Sequence, residues 1–187
     1  MPIDHFGKLA PYYEKLFRPR FDEAWFRLLS LPAGGALLDV GGGTGRLSQF
    51  FSRQVDQVII VDESTGMLRQ ARTKGNLIPL RAHAERLPIS DDAVDRIIMI
   101  DALHHLENQA WAVREMARIL KPGGRLLIEE PDIGNFMVKL IAVMEKALGM
   151  RSHFLRGEEI LMLFHELPLR TQMESKRGIL WVVGEKL

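Results

Sequence analysis

The sequence predicts an α/β fold in which helices cover both faces of a mostly parallel, doubly wound sheet, and three observations carry that prediction. Short, nearly continuous apolar runs recur at residues 36–40, 58–61, 97–100, 126–128 and 179–183, the pattern of strands buried on both faces. Helical spacing alternates with these runs: Leu47, Phe50 and Phe51; Met67, Leu68 and Ala71; Val113, Met116, Ala117 and Leu120. A glycine-rich turn joins the first run to the segment after it. Alternation of this kind implies right-handed βαβ units, whose ligand crevice lies beyond the carboxyl ends of the strands.

Near the amino terminus, Asp22 is placed to cap a helix bearing Ala24, Trp25, Leu28 and Leu29, which Pro32-Ala33-Gly34-Gly35 terminates. The strand expected at Leu77–Arg81 carries Pro79 and belongs toward a sheet edge, because proline removes a ladder donor. A helix from about Gln109 to Leu120 stops at Lys121-Pro122-Gly123-Gly124, and a new strand starts at Arg125. A helical stretch then puts Phe136, Leu140, Ile141, Met144 and Leu148 on one side with Met137 nearby. That stripe suits a hydrophobic ligand, and equally a cover for the sheet or for a partner subunit. A second helix over 158–167 precedes strands at 170–176 and 179–185.

With 187 residues the chain fits one domain, and 47% hydrophobic with 26% charged residues describes a folded globular protein. Lys and Arg number 25 against 24 Asp and Glu, without runs of one sign, so no nucleic-acid partner is indicated. Cysteine is absent, which excludes disulfides, thiol nucleophiles and cysteine-based zinc sites. The opening Met1-Pro2-Ile3-Asp4-His5 lacks a signal-peptide pattern, so the default expectation is cytoplasmic. Residues 136–150 are interrupted by Lys139, Glu145 and Lys146 and are shorter than the roughly 20 residues of a bilayer span, so no stable membrane insertion is expected.

The richest segment is Leu37-Leu38-Asp39-Val40-Gly41-Gly42-Gly43-Thr44-Gly45-Arg46-Leu47-Ser48. Gly41, Gly43 and Gly45 let the backbone turn sharply and let a ligand lie against it. Asp39 is an acid facing that ligand, and Asp62 ends the next strand at about the spacing where nucleotide folds bond a ribose. An adenosine-containing cofactor is implied. The dinucleotide pattern requires a third glycine where this chain has Arg46, and pyrophosphate would meet Asp39 at close range. The P-loop pattern fails for want of Gly-Lys-Ser or Gly-Lys-Thr. S-adenosyl-L-methionine (SAM) carries an ammonium, a carboxylate and a sulfonium but no phosphate, so an acid beside the turn helps it.

Five segments in order, LLDVGGGTGRLS at 37–48, VDESTGMLRQAR at 61–72, AERLPISDDAVD at 84–95, DALHHL at 101–106 and ARILKPGGRLLIEE at 117–130, resemble the class I SAM-dependent methyltransferases, in particular the methyltransferase type 11 branch that holds the ubiquinone and menaquinone C-methyltransferases. The resemblance covers roughly 6–131. It implies a Rossmann-like, seven-stranded, mostly parallel sheet with an antiparallel last strand and helices on both faces. It also implies one methyltransferase domain over 1–187, with an N-terminal helical cap at 1–32 and a helical substrate-covering insertion at 132–168.

For the cofactor, the resemblance implies that Asp39, Gly41 and Gly43 hold the methionine part of SAM, that Asp62 bonds the ribose hydroxyls, and that Glu63 and Met67 flank ribose and adenine. Met67 reads equally as an ordinary core residue of its helix. Ala84 matches the backbone donor to adenine; His83 stands where the family commonly has an aspartate, and its neutral ring accepts through one nitrogen. The stretch from Phe6 to Tyr13 resembles the segment that closes over the cofactor, with Tyr13 matching its tyrosine.

Methyl transfer is an in-line displacement that gains most from alignment in a water-poor site, so no dedicated acid is required. His104 and His105, just past the fourth strand, are either a general base for the acceptor or structural residues that cap a helix and pack under the cofactor. Asp101, Glu129 and Glu130 also end strands on the active side; they read as ordinary polar rim residues in preference to a metal set shared with the histidines, and Asp101 joins the histidines as a catalytic candidate. No metal is expected. The expected activity is methyl transfer from SAM to a small-molecule methyl acceptor, apolar or aromatic. The rival readings are a non-catalytic SAM-binding sensor or partner subunit and an NAD(P)-dependent oxidoreductase, and a homodimer stays open.

Overall fold

The computed structural model describes residues 5–17, 19–147 and 152–187. Seven strands, β1 (Ala36–Val40), β2 (Gln57–Asp62), β3 (Leu77–Arg81), β4 (Val94–Ile100), β5 (Leu120–Pro131), β6 (Leu169–Lys176) and β7 (Ile179–Lys186), form one sheet in the order β3-β2-β1-β4-β5-β7-β6. Pairing is parallel from β3 through β5, while β7 runs antiparallel to β5 and β6 antiparallel to β7. Only β7 is therefore reversed, and β3 with its proline is an edge strand. The order reverses between β1 and β4, which places a ligand crevice at their carboxyl ends.

Residue alternation along the strands builds a core on each face of the sheet. Leu38, Ile97, Met99, Leu126 and Val182 point to one face, where they meet Val113, Met116 and Ala117 of α4 (Gln109–Ile119) and Ile160 of α6 (Gly157–Met162). Their strand neighbours Leu37, Ile98, Leu127 and Val183 point to the other, against Trp25 and Leu28 of α2 (Ala24–Leu28) and Leu68 and Ala71 of α3 (Thr65–Ala71). Each such aliphatic side chain contributes about 1.5–3 kcal/mol on leaving water, so one strand sequence without polar interruptions serves two cores.

Two helices remain, α1 (His5–Leu16) and α5 (Phe136–Ala147). Helix α1 lies against α3 so closely that a Cβ on Gly66 would come 2.6 Å from the Gly7 Cα. Lys74 fixes the contact by donating to Glu14 and to the Thr44 carbonyl, both at 2.7 Å. No helix among the described residues is long and apolar enough to cross a membrane.

Four expectations are corrected. The segment after the glycine turn makes only one 3-10 turn, Ser48–Phe51, because the chain must return at once to lay Asp56 and Gln57 against the Gly35 carbonyl. The strand expected to start at Arg125 begins already at Leu120, which is extended and paired with Val94, so β5 follows α4 without a break. The helix expected over 158–167 ends at Met162 and gives way to tight turns that lead into β6. In α5, Phe136, Met137 and Leu140 are exposed and Val138 is buried, so the described part of that stripe does not cover the sheet. Leu148 and the side chains of Ile141 and Met144 lie outside the described residues.

Candidate functional site

The glycine turn leaves β1 with Gly41, Gly43 and Gly45 at φ +77°, +56° and +73°. At Gly41 the requirement is double, because a Cβ there would also come 2.6 Å from that of Ala102 at the end of β4. The turn is thus clamped between β1 and β4 at the reversal of strand order. A pocket opens there, lined by Tyr13, Asp39, Gly41, Arg46, Leu47, Ile100 and Asp101 among others.

Asp62, at the end of β2, faces the turn. Its Oδ2 accepts from the Gly43 N–H at 3.0 Å and its Oδ1 from the Ser64 N–H at 2.8 Å. These bonds fix the carboxylate at the edge of the turn, and its two oxygens, with about four lone-pair positions in all, form an acceptor suited to a diol such as a ribose. Ser64 in turn caps α3 by accepting from the Met67 N–H. Met67 is buried, with its sulfur beside the turn, 3.9 Å from where a Gly43 Cβ would stand.

Asp39 lines the pocket but is itself buried beneath the turn, accepting from Ser48 Oγ at 2.6 Å. Burial, and after it the neighbouring Asp62 charge, pushes its carboxyl up to about 7 against the relief given by Ser48 and Arg46. The sequence suggests a plain anion here; the structure gives an acid poised between its two forms. Tyr13, from α1, stands over the turn with the Arg46 guanidinium 5.7 Å from its ring centre. Its hydroxyl is raised, mainly by burial.

Past the ends of β3 and β2, His83 and Glu63 face each other across 3.2 Å, and both are largely exposed. Ala84 is buried, and its N–H has no hydrogen-bond partner among the described residues. The backbone donor that the resemblance assigns to adenine is therefore available, whereas His83 is engaged with Glu63.

The two glutamates ending β5 point to opposite faces, as consecutive strand residues must. Glu129 accepts from the indole N–H groups of Trp25 and Trp181, and from Arg20 at 2.9 Å. Glu130 accepts from the Ala102 and Leu103 N–H groups at 3.1 and 2.8 Å, and its other oxygen lies 2.5 Å from His104 Nδ1. His104 is buried and stacks on Phe154 at 4.2 Å. His105 Nδ1 sits 3.3 Å from Ser152 Oγ, and its pKa is lowered to about 3 by burial and then by His104. The histidines thus join the turn after β4 to the segment around 152–154, and among the described residues no three acids or histidines gather as a metal group.

Asp101 is different. It lines the pocket at φ +53°, and its carboxylate has no hydrogen-bond partner among the described residues. It opens onto the cleft, yet the walls around it and then the Glu130 charge raise its pKa. Sequence reasoning puts the histidines first as a base and reads Asp101 chiefly as a polar rim residue. It missed Ser48, Ser64 and Glu130 as supports, since each acts across the fold or through a cap.

This donor set fits SAM. The glycine turn floors a pocket that holds a poised acid and a cation, Asp39 and Arg46, its Gly43 N–H is bonded to the backbone-anchored acid ending β2, and Ala84 keeps an available backbone N–H. Residues 38–128 match the family described as a methyltransferase domain. The ubiquinone/menaquinone biosynthesis C-methyltransferase UbiE of Serratia proteamaculans is 39% identical over 145 residues, covering 72% of this chain and 51% of that protein. The chain spans about half the length of the curated relatives it matches. Among solved structures, a putative methyltransferase in complex with the Haloferax volcanii Trm112 activator superposes with a TM-score of 0.82 at 19% identity, covering 99% of both chains. A SAM-dependent methyltransferase from Thermotoga maritima, described as a possible histamine N-methyltransferase, gives a TM-score of 0.78 at 22% identity, covering 97% of this chain and 98% of that one. These two likenesses concern the fold. Strand order, glycine turn and matched sequence agree: the chain carries a methyltransferase domain of the class I SAM-dependent type, similar in sequence to the UbiE C-methyltransferases over about half of their length.

Proposed function

We propose that this chain transfers a methyl group from SAM to a small apolar or aromatic acceptor in the cytoplasm. The carrying observation is the Asp62 carboxylate, anchored by two backbone N–H groups, one of them from Gly43 of the turn whose Gly41 and Gly42 line a pocket with Leu47 and Ile100 on its wall. In this reading Asp62 binds the ribose, Ala84 donates to adenine, Met67 supports the turn, and Asp39 with Gly41 and Gly43 receives the methionine end. Residues 1–32 act as the cap, bringing Tyr13 over the pocket, and 132–168 as the acceptor-side insertion of a single domain.

Bound SAM supplies an electrophilic methyl on a sulfonium. The chain aligns the acceptor and keeps water away, which is where most of the rate gain of such a displacement originates. When the acceptor is a phenol, an enol or an activated ring carbon, its proton needs a base, and Asp101 meets the geometric requirement better than the histidines. Asp101 lines the pocket itself, and a raised pKa brings the acid closer to the value a base needs at neutral pH. His105, at about 3, remains neutral but drives little proton transfer, and His104 is engaged with Glu130.

A labelled-methyl screen over quinols, phenols, amines and lipids, run with and without a Trm112-type activator, tests the proposal. Label incorporated into an apolar or aromatic acceptor supports it. SAM binding without label transfer to any acceptor would favour the sensor reading instead.

A further inference from the structure

Arg46 comes directly after the glycine turn and lines the pocket with Tyr13, Asp39 and Asp101. Its guanidinium is packed under the Tyr13 ring, and no carboxylate among the described residues lies within ion-pair distance of it. A half-buried guanidinium, with five N–H donors in a fixed fork, is a ready partner for an anion.

The bound cofactor brings an anion to this place. Its amino-acid end is a zwitterion, and the acids of the pocket suit the ammonium but repel the carboxylate. Backbone N–H groups of a glycine turn are the usual alternative donors. The four glycine N–H groups are already engaged: Gly41 and Gly42 donate to the Val61 carbonyl at 2.8 and 3.3 Å, Gly43 to Asp62 at 3.0 Å, and Gly45 to the Gly42 carbonyl at 2.9 Å, so that within the turn only Thr44 keeps an N–H outside these bonds. The turn leads into a four-residue 3-10 segment, too short to act as an anion-binding helix end. Arg46 is the cation among the residues lining the pocket, and it stands two positions past Thr44, so its guanidinium is placed to meet the carboxylate.

We infer that Arg46 is the counter-ion for the α-carboxylate of the cofactor's methionine end, and that Tyr13 holds the guanidinium in place beneath α1. The inference rests on the SAM reading and adds a residue that neither the family resemblance nor the proposed mechanism assigns. It also gives the departure from the dinucleotide pattern a positive meaning, because the residue that excludes pyrophosphate-type packing supplies the charge an amino acid needs.

Calorimetric titration tests it with two ligands, S-adenosylhomocysteine (SAH) and its decarboxylated analogue, which keeps nucleoside, thioether and amine. The wild-type chain should bind SAH about 10- to 100-fold more tightly than the analogue, the range of one charge-assisted bond. Arg46→Met should lower SAH affinity by a similar factor and leave the analogue within about threefold, and Arg46→Lys should fall between, having the charge without the fork. Equal wild-type affinity for both ligands overturns the inference without any variant that must fold. Equal loss of both ligands in Arg46→Met overturns it too. A wild-type chain that binds neither ligand nor SAM overturns the cofactor reading itself, and the inference with it.

Discussion

Asp62→Asn separates binding from folding at one atom. In the wild type, each carboxylate oxygen accepts one backbone N–H, from Gly43 at 3.0 Å and from Ser64 at 2.8 Å. An amide has one accepting oxygen, so whichever way it turns, one of those N–H groups meets another donor. The part-buried position puts that cost near the lower end of about 1–3 kcal/mol, equivalent to a fall of about 2–6 °C in the melting temperature of a domain this size. Toward the ligand, two charge-assisted bonds become at best neutral ones, a loss of about 2–3 kcal/mol or roughly 30- to 150-fold in affinity. Ser64→Ala is the control: it removes the cap on the Met67 N–H and lowers stability by about 1 kcal/mol without touching the ribose. SAH titration and thermal melts read both quantities. SAH affinity of Asp62→Asn within about threefold of wild type, or an equal affinity loss in Ser64→Ala, would refute the reasoning.

Other residues give further outcomes. Gly41→Ala combines a left-handed φ with a Cβ 2.6 Å from Ala102, so it should cost about 2–4 kcal/mol and weaken SAH binding, read by urea unfolding and titration. Glu130→Ala leaves the Ala102 and Leu103 N–H groups and His104 without their acceptor and should destabilise by about 3–5 kcal/mol, whereas Glu130→Gln keeps an oxygen for the two amides and should recover part of it. Asp39 binds its proton more tightly folded than unfolded, so its contribution to stability is complete below about pH 4 and lost as pH rises toward 7. Relative to Asp39→Asn, wild-type stability should therefore fall by up to about 4 kcal/mol between pH 4 and pH 8 in denaturant titrations; a pH-independent difference would place the carboxyl in a wetter setting. His105→Ala should leave turnover within about tenfold of wild type, while Asp101→Asn should lower it by about 100-fold or more on a phenolic acceptor.

The sheet was legible because parallel strands buried on both faces read as continuous apolar runs, and Pro79 marked β3 as an edge before any pairing was known. The glycine turn and Asp62 were legible through spacing, since a turn of that shape demands residues without a Cβ. The hidden part depends on contacts between distant residues. Glu130 reaches His104 across 26 positions, and no periodicity reports that. The pair Glu129-Glu130 did carry a usable signal: neighbours on a strand face opposite ways, so the two could not both line one pocket. Local pattern also overstated the helices. Leu47, Phe50 and Phe51 have helical spacing, but the reach back to Gly35 leaves room for a single turn. Arg46 was read only as a mismatch to the dinucleotide pattern, because its meaning depends on the neighbouring N–H groups being engaged.

The most direct measurement is a crystal structure of the chain with SAH. Both ribose hydroxyls should bond the Asp62 carboxylate, and the homocysteine end should lie over Gly41 and Gly43. Adenosine bound elsewhere, or no SAH in the pocket at millimolar supply, would contradict the assignment of this turn as the cofactor site.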